Sequence, residues 1–238
     1  MTLVESAAAA VARLDFDEVQ RQYFFQDEAV VVDSFIPEAE LAPIVGELNG
    51  LRSEMHRSHV PGIKKSSSVS RHILDREIPA IREMYQSGAM VDFLNKLTDR
   101  ELHFCPEADP HTCTLYCYLD KGDYFGGHFD TNYYRGTRFT VLLGLVNDTE
   151  SKLVAELYKK DDSRKNRVVE VSLKPGTLVV FNCHRLYHWV TPLGSDEERI
   201  VLAMEYVTDT RRSRFQQAFS NLKDAVIYFG FKETFNPR

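Results

Sequence analysis

Apolar positions along this chain change period near residue 112. Before that point they recur at helical spacing. Leu41, Ile44, Val45, Leu48 and Leu51 mark one such face, and Pro37 fits the first turn of the helix that Ile36-Pro37-Glu38 opens. Pro43 and Gly46 lie inside the pattern, where either can kink or restart a helix. Further helices are predicted over the alanine-rich Met1 to Leu14, over Ile73 to Gln86 with a break at Pro79, and over Met90 to Arg100. The β-branched run from Glu28 to Asp33 predicts a short strand, and Val60 to Ser70, rich in Pro, Gly and Ser, reads as a loop.

From Thr112 the chain reads as short strands. They cover Thr114 to Leu119, Arg138 to Val146, Leu153 to Tyr158, Arg167 to Leu173, Thr177 to Phe181 and Arg199 to Val207. Turn signals such as Lys121-Gly122-Asp123, Asn147-Asp148-Thr149 and Lys174-Pro175-Gly176 join them. Many short strands at this spacing point to an α+β fold built on a jelly roll, or double-stranded β-helix. Arg211 to Tyr228 returns to helix, with Phe215, Ala218, Phe219, Leu222, Val226 and Phe229 as a face to pack on the sheet. The expected organisation is one domain over 1–238. Residues 1–111 are helical support and lid, 112–209 the jelly-roll core, and 210–238 the closing helix.

Composition narrows the function classes. The 238 residues are 43% hydrophobic and 27% charged, with a net charge of -6. No basic block marks a nucleic-acid binder. The pairs Lys64-Lys65 and Arg211-Arg212 read as solvated surface. No apolar run is long enough to span a bilayer, and the N-terminus lacks the basic start of a signal peptide. The four cysteines, Cys105, Cys113, Cys117 and Cys183, form no CxxC pair and read as buried free thiols of a cytoplasmic protein.

The candidate chemistry lies in His128-Phe129-Asp130, followed by His188 and Arg199. Residues two apart on an extended segment point the same way, and Gly126-Gly127 would leave space beside a metal. Two imidazoles and one carboxylate suit Fe(II) with positions left open for oxygen and a co-substrate. The same three groups can also hold zinc in a hydrolase. His184 competes with His188 as ligand. His188-Trp189-Val190-Thr191-Pro192 is preferred because it leads directly to Arg199. Arg199 opens an apolar strand, where a guanidinium without an anionic partner would be costly to bury. A bidentate carboxylate, such as that of 2-oxoglutarate, fits it. The other histidines have no matching context.

With these parts in order, Thr114 to Val207 resembles the Fe(II)/2-oxoglutarate-dependent dioxygenase superfamily. The strings Gly122-Asp-Tyr-Phe, His128-Phe-Asp130, Tyr133-Tyr134, Arg138-Phe-Thr-Val, Leu143-Gly-Leu-Val-Asn-Asp148, Glu205-Tyr-Val-Thr-Asp209 and Ser220 to Phe231 are similar to the BesD-type amino-acid halogenases and hydroxylases. The resemblance implies Fe(II), 2-oxoglutarate and O2 as cofactors, with His128, Asp130 and His188 on the metal. Arg199 would anchor 2-oxoglutarate, and Thr140 and Tyr116 or Tyr118 would touch it. It also implies hydroxylation of a free L-amino acid, lysine first. The halogenases have glycine where this chain has Asp130, and a carboxylate there excludes halide. For the substrate, Arg71 behind the Ser66-to-Ser70 lid is expected to take the carboxylate. Glu205, sharing strand parity with Arg199, is expected to take the amine. Asp120 and Asp123 read as solvated turn residues. The expected partner is a small molecule, neither nucleic acid nor membrane, and a homodimer stays open. So do oxygenation of a different small amino acid or derivative, and a non-catalytic jelly-roll binding module.

Overall fold

The computed structural model describes residues 1–230 and 234. Six helices come first: α1 (Leu3–Arg13), α2 (Phe16–Phe25), α3 (Glu38–Leu48), α4 (Arg71–Glu77), α5 (Pro79–Tyr85) and α6 (Gly88–Thr98). Local chemistry sets their ends. Thr2 and Glu5 form a capping box on α1. Pro79 divides α4 from α5, since a proline cannot continue a helix but suits its first turn. Pro43 lies inside α3 without breaking it.

The strands are β1 (Ala29–Val32), β2 (His56–Val60), β3 (Lys64–Val69), β4 (His103–Phe104), β5 (Cys113–Tyr118), β6 (Tyr124–His128), β7 (Arg138–Asp148), β8 (Leu153–Leu157), β9 (Arg167–Val171), β10 (Leu178–Asn182), β11 (Tyr187–Val190) and β12 (Glu198–Val207). They pair antiparallel in the order β1-β10-β7-β12-β5-β3-β6-β11-β8-β9, with β2 on β3 and β4 on β12. This sheet curls almost into a barrel, the jelly roll read from the sequence.

Strand alternation sorts the side chains into two cores. On β7, Phe139, Val141 and Leu143 join Leu115 and Cys117 of β5 and Ile200, Leu202 and Met204 of β12 against the helical layer. The opposite faces, with Leu142, Tyr118, Val201 and Ala203, fill the interior of the barrel. Two hydroxyls tie helix to sheet: that of Tyr85 donates to the Glu205 carbonyl at 3.0 Å, and that of Tyr206 to the Tyr85 carbonyl at 2.7 Å.

Four expectations are overturned here. Residues 60–70 are no lid loop: β2 and β3 form a hairpin, and β3 lies between β5 and β6. Its backbone is hydrogen-bonded on both sides, so its polar side chains are carried into the interior. Lys64, taken for solvated surface, is fully buried. The face expected on the C-terminal helix is also different. Helix α7 (Arg214–Lys223) runs into a π-helical segment, Asp224–Phe229. Phe219 and Leu222 of α7 already point outward, and in the π-helical segment, where the wider turn changes the phase, Val226 is exposed while Ala225, Tyr228 and Phe229 are buried. The side chain of Phe215, and residues 231–233 and 235–238 of the closing segment, lie outside the described residues. Arg212, the other member of a supposedly solvated pair, is tied to Asp109 at 3.2 Å.

Candidate metal centre

Strands β6 and β11 pair so that His188 stands opposite His128. Asp130 follows two residues after His128, and one ligand atom from each of the three lies within 4.8 Å of the others. Among the described residues this is the one cluster of at least three such groups with that geometry. His184 is not part of it; its Nε2 lies 3.3 Å from Asn132.

The donor atoms are already oriented. His128 Nδ1 is 2.8 Å from the Gly126 carbonyl, and His188 Nδ1 is 3.3 Å from the Leu186 carbonyl. A carbonyl can only accept, so each Nδ1 carries a proton and Nε2 is the atom each ring offers to a metal. Both Nε2 atoms face Asp130 Oδ1, at 3.2 and 3.8 Å. The other oxygen, Oδ2, accepts a 2.7 Å hydrogen bond from Thr140. Phe125 stacks on His128, and Phe181 meets His188 edge-on. Burial lowers the His188 pKa to about 4, so its imidazole is neutral at pH 7, as a ligand must be. Burial alone would raise Asp130, but His188 and His128 outweigh it and hold the carboxyl well below its ordinary range. Two imidazoles with Nε2 turned to one point and one ionised carboxylate fit a divalent metal such as Fe(II).

Around the cluster is a cavity. Alternate residues of β12 line it: Arg199, Val201, Ala203 and Glu205. This is the parity read from the sequence. Arg199 is 1% exposed, and its Nη1 donates to the Ser151 carbonyl at 3.2 Å. Its Nε has no partner. A buried guanidinium edge without an acceptor is costly, and a carboxylate entering the cavity would satisfy it. The site therefore fits 2-oxoglutarate as well as the metal.

The remaining expected residues divide. Thr140 and Tyr116 line the cavity. The Thr140 hydroxyl, however, is held between Asp130 and Glu205 Oε2, the latter at 3.1 Å. The Tyr116 hydroxyl is 2.7 Å from His111 Nε2. Glu205 also lines the cavity, but it is clamped by Arg138, with Nε–Oε2 at 2.7 Å and Nη2–Oε1 at 2.5 Å. A substrate amine would have to compete with that guanidinium. Burial raises the Glu205 pKa to about 7 against the pull of Arg138.

Arg71 is not brought to the cavity. It is buried under α4, 3.1 Å from Asp75 and 3.3 Å from Thr112. The expectation that it binds a substrate carboxylate is corrected by that geometry, since its charge is already met. Asp123 is likewise no solvated turn residue. It is fully buried, takes a two-pronged contact from Arg57 at 2.5 and 2.6 Å, and accepts from the Leu119 amide at 3.0 Å. Gly126 is needed for packing and not for room beside a metal: a Cβ there would meet the Gly62 carbonyl at 2.5 Å.

Four further lining residues, His111, Arg138, Lys223 and Tyr228, were not singled out from the sequence as site residues. Arg138 shares strand parity with Thr140, a signal that was available. His111 and Lys223 carry no local signal, because distant segments deliver them to the cavity.

Comparison with known proteins agrees with this geometry. Residues 113–206 match the model of the 2OG-Fe(II) oxygenase superfamily, a stretch that carries all three cluster residues and Arg199. That superfamily uses Fe(II), 2-oxoglutarate and O2. No curated relative matches the chain. Among solved structures, it is similar to the epimerase SnoN in complex with Fe3+, alpha ketoglutarate and nogalamycin RO. The TM-score is 0.69 at 16% identity, covering 87% of this chain and 89% of that one. A Pseudomonas putida prolyl-4-hydroxylase has a TM-score of 0.60 at 17% identity, with 82% and 98% covered. EvdO2 from Micromonospora carbonacea var. aurantiaca, complexed with 2-oxoglutarate, also has 0.60, at 13% identity, with 90% and 96% covered. Identities this low establish the fold.

Proposed function

We propose that this chain, whose residues 113–206 match the 2OG-Fe(II) oxygenase superfamily model, is an oxygenase of that kind and hydroxylates an unactivated carbon of a free L-amino acid, with lysine the first candidate. The observation that carries the reading is the pairing, in one cavity, of the oriented His128, Asp130 and His188 donors with the unsatisfied Arg199 guanidinium. The amino-acid class is supported by the resemblance of several strings to the BesD-type family, among them Tyr133-Tyr134 and Glu205-Tyr-Val-Thr-Asp209.

In this reading His128, Asp130 and His188 hold Fe(II), and Arg199 holds the far carboxylate of 2-oxoglutarate. Fe(II), with 2-oxoglutarate and O2, supplies the oxidation of the C–H bond, with succinate and CO2 released. The chain supplies position. Thr140 fixes the Asp130 carboxylate, and the two backbone carbonyls fix the imidazole tautomers. Val201, Ala203, Leu142 and Val190 line the cavity with apolar groups, which excludes water from the reacting centre. Asp130 fills the coordination position that glycine vacates in the halogenases, so the chemistry is hydroxylation.

The test is a screen of the proteinogenic amino acids for succinate formation, with mass spectrometry of the products. A product heavier by one oxygen, formed with stoichiometric succinate, supports the reading. Anaerobic Fe(II) and 2-oxoglutarate that give no charge-transfer band would remove its basis. A second reading, the same centre acting on another small molecule, is favoured by structural neighbours that include a prolyl hydroxylase and an epimerase bound to nogalamycin RO. It predicts a functional charge-transfer band and no turnover of any free amino acid.

A further inference from the structure

Three cationic side chains line the cavity: Arg138, Arg199 and Lys223. Arg138 is neutralised by Glu205. Arg199 has an Nε without a partner and would take one carboxylate of 2-oxoglutarate. Lys223 remains. Among the described residues no carboxylate forms an ion pair with it. Instead its Nζ rests near two aromatic rings, 5.0 Å from the Tyr133 centroid and 5.3 Å from that of Tyr228. Its neighbour Asp224 is turned to His111, whose Nδ1 lies 3.3 Å from Asp224 Oδ1. Lys223 lines the same cavity as His128, Asp130 and His188, and the charges of Asp224, Arg138 and Asp130 all bear on it.

We propose that Lys223 is the anchor for an anionic group of the substrate, the α-carboxylate if the substrate is a free amino acid. The proposal rests on the amino-acid reading above and deepens it. With the metal, Asp130, 2-oxoglutarate and Arg199 mutually compensated and Arg138 paired with Glu205, Lys223 is, among the described residues, the cavity-lining cation that no carboxylate contacts; the adjacent Asp224 also bears on it but is turned to His111. A half-buried ammonium held against aromatic faces gains more from a carboxylate than a solvated lysine does, because little water competes for it. The burial that disfavours its charged form in the empty cavity is relieved when an anion enters. The Tyr133 and Tyr228 rings flank the ammonium, so the anchor is preorganised. This also accounts for where the carboxylate goes once Arg71 is committed to Asp75.

The test is equilibrium binding of the proteinogenic amino acids to the protein loaded anaerobically with Fe(II) and 2-oxoglutarate. For each binder, the matching carboxamide is measured alongside. Lys223→Met is expected to weaken the amino acid roughly 10- to 100-fold, as loss of a charge-assisted contact does. The carboxamide should already bind weakly to the wild type and change little in the variant. Lys223→Arg should restore most of the affinity. Unchanged 2-oxoglutarate affinity in both variants reports that the fold is intact. An amino acid that binds Lys223→Met as tightly as wild type overturns the anchor while leaving the amino-acid reading standing. If only carboxylates of another class bind, and do so through Lys223, the anchor stands and the amino-acid reading falls. A panel of amino acids and simple carboxylates without any binder overturns both.

Discussion

The hydroxyl of Thr140 sits 2.7 Å from Asp130 Oδ2, and the same oxygen lies 3.1 Å from Glu205. A threonine hydroxyl has one proton. With Glu205 saturated by Arg138, that proton goes to Asp130. Thr140 therefore presents Oδ1, the remaining carboxylate oxygen, toward the two imidazoles. It is a positioning residue for the metal ligand and makes no metal contact of its own.

Replacing Thr140 by valine keeps its shape and removes that proton. Affinity for Fe(II) should fall by about 10- to 100-fold, the usual cost of losing a partner that orients a ligand. A competitive metal titration reads this directly. Unaltered affinity would show that Asp130 holds its orientation without help.

Arg199→Leu should cost 2-oxoglutarate affinity roughly 100-fold, and Arg199→Lys somewhat less, because a point charge cannot reproduce the two-pronged contact. Thermal stability without 2-oxoglutarate should not fall in Arg199→Leu. The variant removes a buried guanidinium whose Nε has no partner, a group that costs stability when the cavity is empty. A clear drop in Tm would mean that Arg199 serves the fold through its contact with Ser151.

Asp130→Gly should abolish hydroxylation and open a coordination position. Chloride should then shift the anaerobic charge-transfer band of the Fe(II) and 2-oxoglutarate complex, which it should not do in the wild type. A band indifferent to chloride in the variant would show that a vacancy alone is insufficient. The Thr140 hydroxyl, freed from its acceptor beside Glu205, is the group to examine next.

Lys64 carries a pH signature. Its Nζ has the Ser68 hydroxyl at 2.9 Å and the Tyr228 ring at 4.5 Å, and burial lowers its pKa to about 7 from the ordinary lysine value of 10.5. Between those two values the unfolded chain binds a proton that the folded one does not. The group therefore destabilises the fold increasingly as pH falls through that window, and fully below about pH 7. Lys64→Met should raise stability by roughly 2–4 kcal/mol near pH 7, with the gain vanishing toward about pH 10.5. Denaturant midpoints across that range check it. A gain independent of pH would refute the titration and leave only improved packing.

What the sequence determined by itself is whatever depends on short-range periodicity. On β12 the alternation of Arg199, Val201, Ala203 and Glu205 against Ile200, Leu202 and Met204 assigns the first set to one face, and that face lines the cavity. The spacing of His128 and Asp130, and the order in which His188 and Arg199 follow, were legible for the same reason: ligands of one metal on a pleated sheet obey the strand's period. Tertiary structure decided everything that depends on which distant segment arrives as a neighbour. Lys64 and Asp123 have polar sequences around them, yet both are buried, because β3 is inserted between β5 and β6 and Arg57 reaches Asp123 from β2. Arg71 is consumed by Asp75, while Lys223 arrives from the far end of the chain and, among the described residues, forms no ion pair with a carboxylate. Burial and charge pairing are properties of the assembled neighbourhood, and a linear pattern carries no record of who the neighbours are.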